Sequence, residues 1–249
     1  MAKIVVIGDV GGCPAELSKV IAPMLDDPDV RVIQVGDLVD RGPDSSGVLA
    51  FVEQQPPGRW TQLIGNHESQ YVGGDSFWPH RLAEDDARLL EEWWLKERMR
   101  VAAAVRTADG EEYLVTHAGL TVDAWRELDE PVTAATAADL LNTRPDNLLW
   151  RDHGPLWAEA GPGLYEPWLH ATQPMPFSQI HGHSTIVSYR RQTWMCGERI
   201  RQRSTVDWTA RHTVTRLGAA HFVGIDPKHG TVGAPTWAPL ILDGATLLS

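Results

Sequence analysis

Residues 36–42 read Gly-Asp-Leu-Val-Asp-Arg-Gly and follow directly on Val30-Arg31-Val32-Ile33-Gln34-Val35, a short β-branched run. Such a run reads as a buried strand. A loop just beyond the carboxyl end of a strand is where open α/β sheets place their chemistry. The residue types agree with that placement. Two carboxylates three apart bind hard cations, and an arginine beside the second grips a pair of phosphoryl oxygens. The plainer alternative is an acidic turn closed by glycines, and the rest of the chain speaks against it.

Lys3-Ile4-Val5-Val6-Ile7 is another strand-like run, and it feeds straight into Gly8-Asp9-Val10-Gly11-Gly12-Cys13-Pro14. Pro14 suits a first helical turn, and Leu17, Val20, Ile21, Met24 and Leu25 recur at helical spacing until Asp26-Asp27-Pro28 ends the segment. Strand, turn, helix and strand make a βαβ unit with a right-handed crossover, so the turn at 8–14 and the loop at 36–42 open at one sheet edge. A dinucleotide-binding turn is the rival, but the G-x-G-x-x-G spacing is absent and no P-loop lysine follows. Asp44 or Ser45 can cap a helix carrying Val48, Leu49, Phe51 and Val52, which Gln55-Pro56-Pro57-Gly58 stops. Residues 60–64 form a third strand, which delivers Gly65-Asn66-His67-Glu68 to the same edge.

Further along, residues 75–100 hold a charged helix with Leu89, Leu90, Trp93 and Trp94, expected as a cap over the active edge or a flank of the sheet. Residues 101–105 and 112–116 read as a hairpin through Asp109-Gly110, ending at His117-Ala118-Gly119. Helical stretches at 121–128 and 133–141 precede Leu148-Leu149-Trp150-Arg151. The Pro/Gly-rich run 154–176 reads as a long surface loop, a usual binding wall, on which Trp157 and Trp168 could stack a base. Most of the eleven tryptophans are expected in the core. A strand at 178–181 leads into Gly182-His183-Ser184, and short strands follow, with 238–243 and 246–248 paired across Gly244. The architecture expected is α/β: two mixed β-sheets packed as a sandwich flanked by helices, in one domain spanning 1–249.

Composition sets limits on partners. A formal charge of −11 makes duplex nucleic acid a poor partner, because phosphate tracking needs a basic footprint. It leaves a small phosphate substrate open, since bound divalent metals reverse the local sign. Cys13 and Cys196 form no disulfide framework and read as reduced thiols. With no run approaching 18 apolar residues and no signal-peptide pattern at the start, the expected setting is cytoplasmic, with no membrane partner.

Taken together, Gly8-Asp9-Val10, Gly36-Asp37-Leu38-Val39-Asp40-Arg41-Gly42, Gly65-Asn66-His67-Glu68, His117-Ala118-Gly119 and Gly182-His183-Ser184 form an ordered set. The set resembles the calcineurin-like metallophosphoesterases. Within them it is similar to the phosphoprotein phosphatase branch, which includes bacterial and phage serine/threonine phosphatases and symmetrical diadenosine tetraphosphate hydrolases. The resemblance implies two divalent metal ions, Mn first, with Fe or Zn as alternatives. Asp9 and Asp37 would hold one, and Asp37 would bridge to another held by Asn66, His117 and His183. It also implies attack on phosphorus by metal-activated hydroxide, with His67 as the acid for the leaving oxygen, Asp40 orienting it and Arg41 neutralising the phosphoryl group.

Three departures from the family pattern stand out. Gly11 occupies the place of a metal-ligand histidine, a loss that would weaken the first metal site; His181 is a candidate substitute, since it would share a face with His183 in an extended segment. Ile64 stands where an arginine often precedes Gly-Asn-His-Glu, and Arg151 is a candidate replacement as a phosphate clamp, with a surface salt-bridge arginine as the alternative. Gly11-Gly12 is expected to leave extra space in the pocket. The substrate class expected is a phosphomonoester, with phosphoserine or phosphothreonine protein first and a nucleoside polyphosphate as the alternative. A third reading is a degenerate phosphoesterase that binds metal, a phosphate ligand or a partner protein without turnover.

Overall fold

The computed structural model describes residues 3–228 and 237–248. Period-two alternation organises its centre. In β1 (Lys3–Ile7), Ile4 and Val6 pack with Ile33, Leu63, Val115, Ile180 and Val223, while Val5 and Ile7 belong to the cluster containing Leu17, Ile21, Val48 and Leu49. The first face is therefore the seam between two sheets and the second is the seat of the helices. Fully burying a Leu or Ile side chain stabilises by about 1.5–3 kcal/mol.

Strand β1 leads through α1 (Pro14–Leu25) to β2 (Val30–Gln34), then α2 (Ser45–Glu53), β3 (Trp60–Leu63), the single turn α3 (Asn66–Ser69), α4 (Glu84–Leu95) and β4 (Met99–Arg100). Asp44 caps α2 by accepting the Gly47 N–H at 2.7 Å. The second half of the chain holds β5 (Ala102–Arg106), β6 (Glu112–Thr116), α5 (Val122–Glu127), α6 (Ala134–Asn142), α7 (Asp146–Leu149), α8 (Tyr165–His170), β7 (Ser178–His181), β8 (Val187–Ser188) and β9 (Thr193–Trp194). It continues with α9 (Glu198–Arg201), β10 (Ser204–Asp207), β11 (His212–Leu217), β12 (Ala220–Gly224), β13 (Leu240–Asp243) and β14 (Thr246–Leu247).

One sheet has the order β13-β1-β2-β3-β4, parallel except for β13, and the other β10-β11-β12-β7-β6-β5-β14, in which β12, β7 and β6 run parallel. The two mixed sheets of the expected architecture are present, with helices alongside.

Two local expectations are corrected. Residues 238–243 and 246–248 do not pair with each other: β13 lies on β1 and β14 on β5, so the chain changes sheets at Gly244, whose φ is +67°. The run 154–176 is not a surface loop. Leu156, Ala158, Leu164, Tyr165 and Trp168 are buried, and Trp168 spends its indole N–H on the Leu120 carbonyl at 2.8 Å.

The charged helix expected within 75–100 is α4. Leu90 and Trp93 are buried, and Trp93 donates to Glu53 of α2 at 2.7 Å, so this face flanks α2. The stretch before α4 is what reaches the site, as the ring contacts below show. Among the described residues no helix is long and apolar enough to cross a membrane. Cys13 and Cys196 are both free thiols.

Candidate metal centre

Loops from both sheets meet at one edge because their backbones interlock. The Asp37 carbonyl accepts the N–H groups of Val10 at 2.9 Å and Gly11 at 2.8 Å, tying the turn after β1 to the loop after β2. Glu68 ties the loop after β2 to the turn after β3. Its Oε2 accepts from Asp37 and Gly65, each at 2.8 Å, and its Oε1 from Leu38 at 2.8 Å and Val39 at 3.3 Å. These approaches leave no room for side chains. A Cβ on Gly36 would lie 2.4 Å from the Gly65 nitrogen, and Gly36 sits at φ +105°, a conformation that glycine adopts without strain. The Gly182 N–H donates to the His117 carbonyl at 2.8 Å, which brings the turn after β7 beside the end of β6.

Four polar atoms converge inside this edge. His117 points Nδ1 at the Val35 carbonyl, 3.0 Å away, and so keeps its proton there. That leaves Nε2 as a bare acceptor, 2.9 Å from Asn66 Oδ1, 3.3 Å from Asp37 Oδ1 and 3.2 Å from His183 Nδ1. His183 Nδ1 is in turn 3.0 Å from Asn66 Oδ1. One imidazole proton on His183 cannot satisfy this many lone pairs, whereas one cation can. Ligand atoms of Asp37, His117 and His183 all lie within 4.8 Å of one another. An oxygen and nitrogen set of this kind suits Mn, Fe or Zn.

Beside this cluster, Asp9 Oδ2 and Asp37 Oδ2 are buried and accept no hydrogen bond among the described residues, with the Arg41 guanidinium ion-paired to them at 3.7 and 3.1 Å, so they too fit a metal. Asp9 Oδ1 accepts the His183 N–H at 2.9 Å. Burial and then the charges of Asp226 and Asp37 push Asp9 well above the usual carboxylate range. Burial also acts to raise Asp37, but His117, His67 and Arg41 outweigh it and hold that carboxyl well below the usual range. Burial, followed by His117, pushes His183 down to about 3, so both cluster histidines are neutral and able to coordinate at neutral pH.

His67 stands next to the centre. Its Nδ1 is 2.8 Å from Asp40 Oδ2, which also accepts from Gln70 at 3.0 Å. The other nitrogen, Nε2, accepts from Arg41 Nε at 3.2 Å and lies 3.9 Å from Asp37 Oδ2. Phe77 and Trp78 pack edge-on against this imidazole at 5.0 and 4.9 Å, and Phe77 also meets Trp157 at 4.9 Å. Trp157 in turn lies 6.2 Å from the His183 ring, beside a cavity of about 500 Å³ lined by Asp152, His153, Glu159 and Gly163.

Asp9, Asp37, Asp40, Arg41, Asn66, His67, His117 and His183 are thus brought together, while three other residues are differently engaged. His181 has both ring nitrogens engaged, Nε2 with the Tyr165 hydroxyl at 2.7 Å and Nδ1 with the Gly182 carbonyl at 2.9 Å. It does not share a face with His183, because the chain turns and His183 takes a φ of +61°. Arg151 is half-exposed and paired with Glu127 at 2.6 Å, and among the described residues it makes no hydrogen bond or ion pair with the converging atoms. Nor does Gly12 open space, since a Cβ there would lie 2.9 Å from the Asp40 carbonyl oxygen.

Sequence reasoning missed Glu68 as the tie between loops, and it missed Asp226 and Lys228. Asp226 is buried at the end of β12, and Lys228 Nζ lies 2.9 Å from its Oδ2 and 2.9 Å from the His183 carbonyl. The signal was present: Gly224-Ile225-Asp226 is one more strand running into a glycine and an acid.

A family model described as calcineurin-like phosphoesterase matches residues 2–196. The symmetrical bis(5'-nucleosyl)-tetraphosphatase of Shewanella sp. (strain MR-7) is 26% identical over 194 residues, which is 71% of this chain and 68% of that protein. Serine/threonine-protein phosphatase 1 of Salmonella typhimurium is 43% identical over 65 residues, or 25% of this chain and 28% of that one. The solved structure of a serine/threonine phosphatase from Saccharomyces cerevisiae aligns with a TM-score of 0.47 at 16% identity, covering 90% of this chain and 67% of the other.

Proposed function

The chain belongs to the calcineurin-like phosphoesterase family, and on that premise we propose that it hydrolyses a phosphomonoester, with phosphoserine or phosphothreonine protein as the first substrate class. The observation that carries the reading is the convergence of Asp37 Oδ1, Asn66 Oδ1, His117 Nε2 and His183 Nδ1 on one point. Asp37, Asn66, His117 and His183 would hold one divalent cation, and Asp37 with Asp9 another. A bound pair supplies Lewis acidity, offsetting phosphoryl charge and making water nucleophilic near neutral pH. Manganese is the expected metal. The free thiols agree with the cytoplasmic setting expected from the sequence.

The remaining chemistry falls to side chains. Asp40 holds His67 through Nδ1, so Nε2 faces the centre; with His67 in its imidazolium form and Arg41 turned from it to the phosphoryl group, Nε2–H is the bond that would break to protonate the leaving oxygen. Arg41 neutralises the phosphoryl group by exchanging its hold on Asp37 for a pair of phosphoryl oxygens. Phe77 and Trp78 shield the imidazole on its outer side and limit water around the proton in transit.

A nucleoside polyphosphate is the second reading, favoured by Trp157 and Phe77, which form an aromatic corner next to His183 and His67. Turnover of phosphopeptides and of dinucleoside polyphosphates by Mn-loaded protein separates the two. Loss of all turnover in Asp37→Asn is expected on either. A rate that survives Asp37→Asn would sink both.

A further inference from the structure

The first metal position is short of a ligand at Gly11, and the fold places another carboxylate beside it. Strand β12 runs parallel to β7 with Gly224 opposite His181, so the residues after β12 emerge at the edge where His183 turns. Gly8 lies against them so tightly that a Cβ there would sit 2.1 Å from the Ile225 carbonyl oxygen. The next residue on each strand is a buried aspartate, Asp9 at 0% exposure and Asp226 at 1%. Among the described residues Asp9 Oδ2 has no hydrogen-bond partner, and Asp226 Oδ2 faces the Lys228 ammonium. A chain of three contacts joins them: Asp9 Oδ1 accepts the His183 N–H at 2.9 Å, the His183 carbonyl accepts Lys228 Nζ at 2.9 Å, and that ammonium ion-pairs with Asp226 Oδ2 at 2.9 Å. Buried carboxylates with open lone pairs are costly unless a cation serves them.

We propose that Asp226 supplies the ligand that Gly11 lacks, so that Asp9, Asp37 and Asp226 form an all-oxygen first metal site. This rests on the phosphoesterase reading above. Lys228 is then the intramolecular competitor, an ammonium that must release Asp226 when the cation enters. The chemistry also sets a preference. A site of carboxylates alone is harder than one with an imidazole, and so favours Mn or Mg over Zn relative to the histidine-rich second site.

The test is metal stoichiometry by titration and elemental analysis, with Mn(II) electron paramagnetic resonance, on metal-stripped protein reloaded with Mn. Wild type, Asp226→Asn, Lys228→Met and Asp37→Asn are compared, with circular dichroism to confirm folding. Wild type is expected to bind two equivalents and give the signal of an exchange-coupled pair. Asp226→Asn should bind one equivalent and give an isolated-ion signal, and adding Gly11→His to it should restore the second equivalent. Lys228→Met should tighten the first site at least threefold, which keeps the idea testable if the Asp226 variant does not fold. Two equivalents of unchanged affinity in Asp226→Asn, or a Lys228→Met protein that binds no tighter, would overturn the proposal. If Asp37→Asn also keeps both metals, the fault lies with the metal centre as a whole and not with Asp226.

Discussion

Arg41 Nη2 lies 3.1 Å from Asp37 Oδ2, and the same guanidinium reaches Asp9 Oδ2 at 3.7 Å and His67 Nε2 at 3.2 Å. One guanidinium thus faces Asp37, Asp9 and His67 together. On the proposed function its charge would compete with a metal for the same oxygens and would also meet the phosphoryl dianion.

Replacing Arg41 by alanine should therefore split two properties. The rate on a phosphomonoester is expected to fall about 10²–10³-fold, the loss usual for one charge-stabilising donor. Mn affinity should stay level or rise. Steady-state kinetics and Mn titration on one preparation check both, and a parallel fall in affinity would contradict the competition.

The Asp40 and His67 pair predicts a dependence on the leaving group. His67→Asn should slow an alkyl phosphomonoester by roughly 10²–10⁴-fold, because its alkoxide needs a proton. A nitrophenyl ester, whose leaving group departs as an anion, should lose far less. Asp40→Asn should show the same trend more weakly, since it orients the imidazole at 2.8 Å without touching the ester. Equal losses on both esters would remove His67 from the role of acid.

Glu68 predicts a stability effect distinct from chemistry. Its carboxylate takes four backbone N–H groups from two loops, and Glu68→Ala leaves them buried and unpaired. With each orphaned donor costing about 1–3 kcal/mol, the variant should lose at least about 3 kcal/mol against urea. Glu68→Gln should lose less, because its one carbonyl oxygen can still accept. A Glu68→Ala protein as stable as wild type would mean that water fills the gap.

His181 predicts a pH dependence. Burial lowers its pKa to about 4 from an ordinary value of 6.5, so the folded chain holds fewer protons than the unfolded one between those limits. Stability is then full above pH 6.5 and falls as the pH drops toward 4, by roughly 3 kcal/mol from this group. Urea midpoints of metal-free wild type and His181→Gln, measured across this range, should converge on the acid side. A constant gap would mean that the histidine is not held neutral.

What could be read from the sequence followed from how much each segment fixes by itself. The loop at 36–42 carries five constrained positions directly after a strand, so Asp37, Asp40 and Arg41 were legible together with their place in the fold. Gly224-Ile225-Asp226 fixes only two, and nothing local says that β12 runs parallel to β7 and ends beside Asp9. The Gly244 turn was misread for a related reason. A hairpin and a change of sheet look alike until the partners, β1 and β5, are known. Arg151 pairs with Glu127, as an exposed arginine finds whichever carboxylate is near, and sequence gives no sign of which one. Trp168 failed because its indole had a buried carbonyl to meet.

The change of sheet at Gly244 bears on the metal centre from far away. Asp9, Asp37 and Asn66 follow strands of one sheet, while His117, His183 and Asp226 follow strands of the other. How far apart these side chains stand is therefore set by how the sheets rest on each other, and β13 and β14 act as a clasp at the margin of that seam. Leu247 lies opposite Val105, and the Leu248 N–H reaches the Ala104 carbonyl at 2.7 Å. Loosening these last residues would leave every ligand in the chain and still detune the distance between the halves that hold them.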